Sequence, residues 1–132
     1  MFTSQLDLSG NELCGLDRFG FGTYTMEGIQ AIADALKVTA SLTECKLRSN
    51  DLGVEGWTII FNALRDSPTS KITTWDLSYE FLGPEIAKPL AEYISVSASL
   101  TKISVGGNQL GKEGSAVLRK AVEGRSGFKL QL

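Results

Sequence analysis

The segment LTECKLRSNDLG, which runs from Leu42 to Gly53, recurs along the chain and decides its fold. It returns as ITTWDLSYEFLG at Ile72–Gly83 and as LTKISVGGNQLG at Leu100–Gly111, and an imperfect copy, QLDLSGNELCG, occupies Gln5–Gly15. The three close copies start 30 and 28 residues apart. Self-similarity at a fixed period of this length is typical of a stack of like structural units, so the search for function moves from a pocket to a surface.

Each copy is followed by a second segment that keeps the same step along the chain. Apolar residues in these segments recur every three to four positions, which predicts helices with one buried face. Pro84 suits the first turn of its helix, whereas Pro89 predicts that this helix is bent or short. The anchors are Gly28, Ile32 and Leu36, then Gly56, Ile60 and Leu64, then Ile86, Leu90 and Ile94, then Gly114, Leu118 and Val122.

The copies themselves alternate apolar and polar residues and predict short strands. Cys45 and Leu47 alternate with Lys46 and Arg48, a period of two with one buried face. An asparagine such as Asn50, with its copy Asn108, closes the strand, where an amide can tie a turning backbone to its neighbour. Strands joined by helical returns are parallel and adjacent, which predicts a curved solenoid with strands inside and helices outside.

This pattern resembles the leucine-rich repeat family, in its ribonuclease-inhibitor-like subclass, whose signature is L-x-x-L-x-L-x-x-N/C-x-L. The resemblance covers Leu6 to Val122 and implies an α/β horseshoe fragment of about four repeats within one domain, 1–132. Similar repeats occur in NOD-like receptors and in scaffold proteins, so the resemblance implies a protein-binding concave face. The implied bounds are 3–41 for repeat 1, with a loop insertion at 14–25, then 42–71, 72–99 and 100–127, and a terminal strand stub at 128–132.

Two departures from the pattern bear on function. Glu80 stands where the family has asparagine, and a carboxylate lacks the amide donors, so we expect the ladder of bonds to be broken or hydrated there. The insertion carries Phe19, Phe21 and Tyr24 in a glycine-rich setting. We expect these rings either to fold down as a cap on the first repeat or to present a binding surface, and we favour the cap.

Composition limits the possible partners and the compartment. The net charge is −2, from 13 basic and 15 acidic residues, so nothing favours nucleic acid or a membrane surface. The amino-terminal residues lack the pattern of a signal peptide, and the sequence predicts a cytoplasmic protein. Both cysteines fit a reducing compartment: Cys45 is expected in the core and Cys14 in an exposed position, with no support for a disulfide.

The sequence offers few residues that could carry out catalysis. The chain has no histidine, which removes the commonest general base and metal ligand, and we expect no enzyme, cofactor or metal. The segment Gly106–Lys112 matches the start of a phosphate-binding loop, but Glu113 follows where a hydroxyl would hold magnesium. Asp7 and Asp76 are expected about 10 Å apart on a charge-balanced face, with Lys46 between them, rather than as a catalytic acid pair.

The sequence therefore predicts a protein-interaction module for a partner of unknown identity. A structural fragment of a larger receptor array remains an alternative, an enzyme or nucleotide binder is a weaker one, and the uncapped solenoid ends allow self-association. Trp57 is expected to be half exposed, with a minor chance of contacting the partner. The candidate contact residues are Lys46, Arg48, Asp76, Ser78, Tyr79 and Lys102 on the strand face, and Phe19, Phe21 and Tyr24 in the insertion.

Overall fold

A computed structural model describes residues 4–16, 19 and 21–132, and it confirms the α/β solenoid. Five strands form one parallel sheet in the order of the chain, and helices connect them. Each helix packs on the helix next to it in sequence, as a stack of units requires. The strands are β1 (Ser4–Asp7), β2 (Leu42–Lys46), β3 (Thr74–Asp76), β4 (Lys102–Ser104) and β5 (Lys129–Gln131), and the helices are α1 (Glu27–Val38), α2 (Gly53–Arg65), α3 (Ala87–Val96) and α4 (Gly111–Ala121).

The residues predicted to lie on the inner face of the strands do so along the sheet. Cys45, Trp75 and Ile103 all turn inward and are at most 3% exposed. Trp75 pairs in register with Ile103, which pairs in turn with Leu130 of the terminal strand. Leu6 shares the register of Cys45, yet it is 39% exposed, because β1 is an outer strand of the sheet and is covered from one side.

The centre of the stack is a cluster of four aromatic rings from the second and third units. The Trp57 ring stacks on Phe61 at 5.7 Å, and Phe61 stacks on Tyr93 at 5.7 Å. Trp75 meets Trp57 and Phe61 edge to face, and its indole N–H donates to the Tyr93 hydroxyl at 3.2 Å. Each such ring pair adds about 0.5–1.5 kcal/mol beyond the area that it buries. The expectation of a half-exposed Trp57 is wrong, because Trp57 is fully buried on the same face of α2 as Ile60, Phe61 and Leu64.

The two prolines of the third unit explain why its helix is divided. A 3₁₀ turn at Pro84–Ile86 comes first, and α3 begins only at Ala87. Pro89 is therefore the third residue of α3, in the first turn, where its missing N–H has no intrahelical partner in any case. The prediction of a short helix is met by this division into two pieces, with 10 residues in α3 against 13 in α2.

The strand-closing asparagines tie each unit to the one before it. The Asn50 carbonyl oxygen accepts from the backbone N–H groups of Asn11 (2.7 Å) and Leu13 (3.2 Å). Its amide donates to three backbone carbonyls, among them that of Leu8 in the preceding unit at 2.8 Å. Asn108 repeats this arrangement with Glu80, Leu82 and Leu77. The same ladder position accounts for Asn108 in the segment that resembled a phosphate-binding loop, whose Leu110 is part of the core.

The expectation of an exposed Cys14 is wrong, because the insertion folds back over its own base. The Thr25 N–H donates to the Cys14 carbonyl at 2.9 Å, and Leu16 bridges to Gly22, which leaves the Cys14 side chain fully buried. Burial raises the pKa of the Cys14 thiol, and it raises the pKa of Cys45 to about 12. Both cysteines are free thiols, and neither is activated as a nucleophile.

Across residues 4–16, 19 and 21–132, no helix combines the length and apolar character needed to cross a membrane.

Candidate functional site

The outward strand residues surround a shallow depression of about 480 Å³. It brings together four of the predicted contact residues, Lys46, Arg48, Asp76 and Lys102, from three neighbouring strands and the turn after β2. Ser78 and Tyr79 follow β3 just beyond its end, while Phe19, Phe21 and Tyr24 lie in the insertion, outside this depression. The depression therefore holds four of the predicted contact residues, and the other five lie outside it.

Two ion pairs lie on the strand face. Lys46 Nζ lies 3.5 Å from Glu44 Oε1 of its own strand rather than against Asp7 or Asp76. Arg48 Nη1 lies 3.3 Å from Asp76 Oδ2, with 39% and 53% of the two side chains exposed. Exposed pairs of this kind contribute about 0–1 kcal/mol to stability, so they are available to exchange partners on binding.

The two aspartates that open the turns are held ionised by those turns. The Ser9 N–H donates to Asp7 at 3.0 Å, and this bond, with one from the Ser9 hydroxyl, lowers the pKa of Asp7. Burial raises the pKa of Asp76, but the Ser78 N–H and hydroxyl, then Arg48 and Lys102, lower it below its usual value. Neither carboxyl is poised as a general acid, which agrees with the expectation of a charge-balanced face.

In the third unit Glu80 stands where the other units have a strand-closing asparagine. Arg48 supplies one of the hydrogen bonds that the missing amide would donate. Glu80 Oε1 accepts one bond, from the Ser49 N–H at 3.2 Å, which lies one residue before the position that donates to Asn50 and Asn108. The carbonyl two residues earlier, that of Ser78, receives Arg48 Nη2 at 3.1 Å, where Asn50 and Asn108 use their own amides on the equivalent carbonyls. The hydrogen bonds expected to be lost at this position are replaced in part, by an arginine from the preceding unit. Burial raises the pKa of Glu80, while the Ser49 N–H and the Arg48 charge oppose that rise.

Two exposed aromatic residues flank Glu80 in unusual backbone conformations. Tyr79 has φ 57° and Phe81 has φ 58°, the left-handed region that non-glycine residues seldom adopt. Tyr79 is 71% exposed and Phe81 is 92% exposed. Sequence reasoning missed Phe81, although the repeat register aligns it with Asp51, an exposed position, where an aromatic residue has no packing role.

The insertion contacts the rest of the solenoid through Tyr24. Its hydroxyl donates to the Leu52 carbonyl, which precedes α2, and burial raises the pKa of Tyr24 to about 12. Phe19 and Phe21 are 69% and 73% exposed, so these two rings do not form the expected cap over the first repeat. The loop is anchored by its third aromatic residue and turns the other two towards solvent.

Among the described residues, no group of three or more acidic or thiol side chains is placed to hold a metal ion.

Comparisons with known proteins agree with this architecture. Ribonuclease inhibitor from Sus scrofa is 31% identical over 94 residues, which cover 71% of this chain and 20% of that protein. The actin-binding site 2 of leiomodin-1 superposes with a TM-score of 0.73 at 13% identity, covering 97% of this chain and 69% of that one. The tropomodulin C-terminal domain of Caenorhabditis elegans gives 0.72 at 12% identity, covering 98% of this chain and 73% of that one.

The chain thus spans a fifth of the length of the curated relative that it matches. No family model matches the chain. The repeat period, the parallel sheet and the matched relative lead to one assignment. The chain belongs to the leucine-rich repeat family, in its ribonuclease-inhibitor-like subclass.

Proposed function

We propose that this protein is a non-enzymatic interaction module that binds another protein through its strand face. The observation that carries the proposal is the depression of about 480 Å³, where Lys46, Arg48, Asp76 and Lys102 converge on an open parallel sheet. The matched relative is by its name an inhibitor of a ribonuclease, and the leiomodin-1 domain is by its title an actin-binding site. Both names describe contacts between proteins.

The arrangement of the face suits a protein surface better than a small substrate. Its ion pairs are half exposed, so a partner can displace them at little cost, and Arg48 is already held in place by the Ser78 carbonyl. Arginine is frequent among the residues that dominate binding energy, and Arg48 lines the depression. The chain's lack of histidine and the lowered pKa of Asp76 weigh against acid–base catalysis.

A second candidate is a structural role inside a longer repeat array. This role is favoured because the chain spans only a fifth of the length of ribonuclease inhibitor. Two free, buried thiols suit a reducing compartment, and we propose a cytoplasmic location on that basis.

The test begins with affinity capture from lysate and identification of the captured protein by mass spectrometry. Its affinity is then measured by calorimetry for the wild-type chain, for Lys46→Ala with Lys102→Ala, and for Lys88→Ala with Lys120→Ala on exposed helix positions. We expect the strand-face variant to bind about tenfold more weakly and the helix variant to bind as wild type. Equal losses in both variants, or undiminished binding by the first, would remove the strand face as the contact surface.

A further inference from the structure

All exposed aromatic residues in the described part of the chain lie on one edge of the solenoid. They occur between the end of a strand and the start of the next helix, in the first and third units. The remaining described aromatic residues are in the core or, for Phe128, half buried beside Arg125. We call the exposed set the aromatic rim: Phe19, Phe21, Tyr24, Tyr79 and Phe81.

Backbone contacts join the turns of this edge into one continuous row. Asn11 and Leu13 of the first unit donate to Asn50, and Ser49 of the second unit donates to Glu80. Glu80 in turn donates through its N–H to Asn108. Tyr24 adds the insertion to the same row through the Leu52 carbonyl. The turns that carry Tyr24, Tyr79 and Phe81 are thus bonded to one another.

The turn of the third unit places its two exposed rings at left-handed backbone positions. The repeat turn is left-handed at these positions in other units too, at Gly10, Ser49 and Gly107 for the Tyr79 position and at Glu12 and Asp51 for the Phe81 position. Tyr79 and Phe81 each carry a strain of order 1 kcal/mol in that conformation. A Cβ atom on Gly107 would clash with Cδ1 of Tyr79, so the ring lies directly over this glycine. Phe81 is 92% exposed, so core packing does not offset its strain.

The charges on this edge are mainly negative. The first turns of the helices carry Glu27, Glu55, Glu85 and Glu113, and Asp51 is exposed in register with Phe81. The Glu85 carboxylate folds back towards Gly83, two residues beyond Phe81. Lys112 lies beside Glu113, whereas the last helical turns on the opposite edge carry Lys37, Arg65, Arg119 and Lys120.

We propose that the aromatic rim is a second docking surface, distinct from the strand face, and that its partner is a basic protein segment whose arginines stack on Tyr79 and Phe81. An arginine guanidinium is planar and weakly hydrated, so it stacks on an aromatic ring while its N–H groups pair with carboxylates. Asp51 and Glu85 supply carboxylates on the turns that carry or adjoin these rings. A neutral or acidic segment would meet the same rings without ionic pairing.

The probes are three fluorescein-labelled synthetic peptides of equal length, with arginine, lysine or glutamine alternating with glycine. Fluorescence anisotropy is measured against the full chain at low and moderate salt. We expect the arginine peptide to bind at least severalfold more tightly than the lysine peptide, and the glutamine peptide to bind most weakly. Equal binding of the arginine and lysine peptides would overturn the stacking argument, and so would the absence of binding by the arginine peptide.

Variants then locate the contact. Tyr79→Gly with Phe81→Asn introduces residues that tolerate the left-handed backbone, so the fold should survive, and the arginine peptide should bind about tenfold more weakly. Lys46→Ala with Lys102→Ala should leave this binding unchanged, so failure of the rim and failure of the strand face are separate outcomes. Unchanged binding by the Tyr79 and Phe81 variant would refute the proposal. Circular dichroism on each variant confirms that the fold is intact.

Discussion

The hydrogen bond that Arg48 supplies beside Glu80 leads to a quantitative prediction about coupling between two residues. Arg48→Ala removes the donor to the Ser78 carbonyl, and Glu80→Asn restores an amide at the ladder position. In the Glu80→Asn variant, the new side-chain amide can donate to the Ser78 carbonyl, as Asn50 and Asn108 donate to the equivalent carbonyls in their own units. The cost of Arg48→Ala should therefore depend on the residue at the ladder position of the third unit.

The expected size follows from the contacts of Arg48. Its bond to the Ser78 carbonyl is part-buried and comes from a charged group, which places its loss at about 1.5–3 kcal/mol. The ion pair with Asp76 joins two half-exposed side chains and adds at most about 0.5 kcal/mol after solvent screening. Removal of the guanidinium also leaves the partly buried Glu80 without its nearest cation. We expect a loss of about 2 kcal/mol in the wild-type background and about 1 kcal/mol or less in Glu80→Asn.

Urea unfolding followed by tryptophan fluorescence measures both costs, because Trp57 and Trp75 are buried within the two affected units. The four proteins of the cycle are wild type, the two single variants and the double variant. A coupling free energy of about 1 kcal/mol or more is expected. Lys46→Ala, which breaks only an exposed pair, serves as the matched control and should cost less than about 1 kcal/mol. If Arg48→Ala costs the same in both backgrounds, the arginine does not replace the amide.

Three further outcomes are expected. Asn50→Ala should lower the free energy of unfolding in urea by about 3–5 kcal/mol, because the buried amide serves two backbone donors and three carbonyls; a loss near 1 kcal/mol would contradict the ladder. The folded-state pKa of Glu80 is raised above 4.5, so its ionisation destabilises the fold as pH rises through that pKa. Glu80→Gln should therefore gain stability over wild type near pH 7, and the gain should shrink as urea titrations approach pH 4.5; a gain that grows on acidification would reverse the sign. Tyr79→Gly should keep the free energy of unfolding within about 1 kcal/mol of wild type, since the relief of strain offsets the entropy of glycine; a larger loss would mean that the ring stabilises the fold.

The periodic part of the fold could be predicted because each unit repeats the same physical requirements. Inward residues such as Cys45 and Leu47 and the strand-closing Asn50 follow from spacing alone, and the structure confirms them. The arginine at the Glu80 position was not predicted, because asparagine supplies its own donors within one unit while Arg48 reaches across from the previous one. The repeat register does contain a signal for this contact. Arg48 lies at an outward position of the second unit, which is the neighbour of the unit in which Glu80 replaces asparagine.

The two errors have different origins. Trp57 lies three residues before Ile60 and four before Phe61, so the helical period alone places it on the buried face. Cys14 begins a segment with no copy elsewhere in the chain, and its burial depends on the closure of the insertion between Cys14 and Thr25. The contacts of a unique loop depend on its own tertiary closure, which periodicity does not describe.

The four-ring cluster at the centre has a consequence for the spectroscopy of this protein. Both tryptophans belong to the second and third units, so intrinsic emission reports the middle of the stack. Because a repeat stack can lose its end units while the centre holds, fraying of β1 with α1, or of α4 with β5, would leave that emission nearly unchanged. Ellipticity in the far ultraviolet would register the same fraying, so a lower midpoint by ellipticity than by emission would measure how unevenly stability is distributed along the chain.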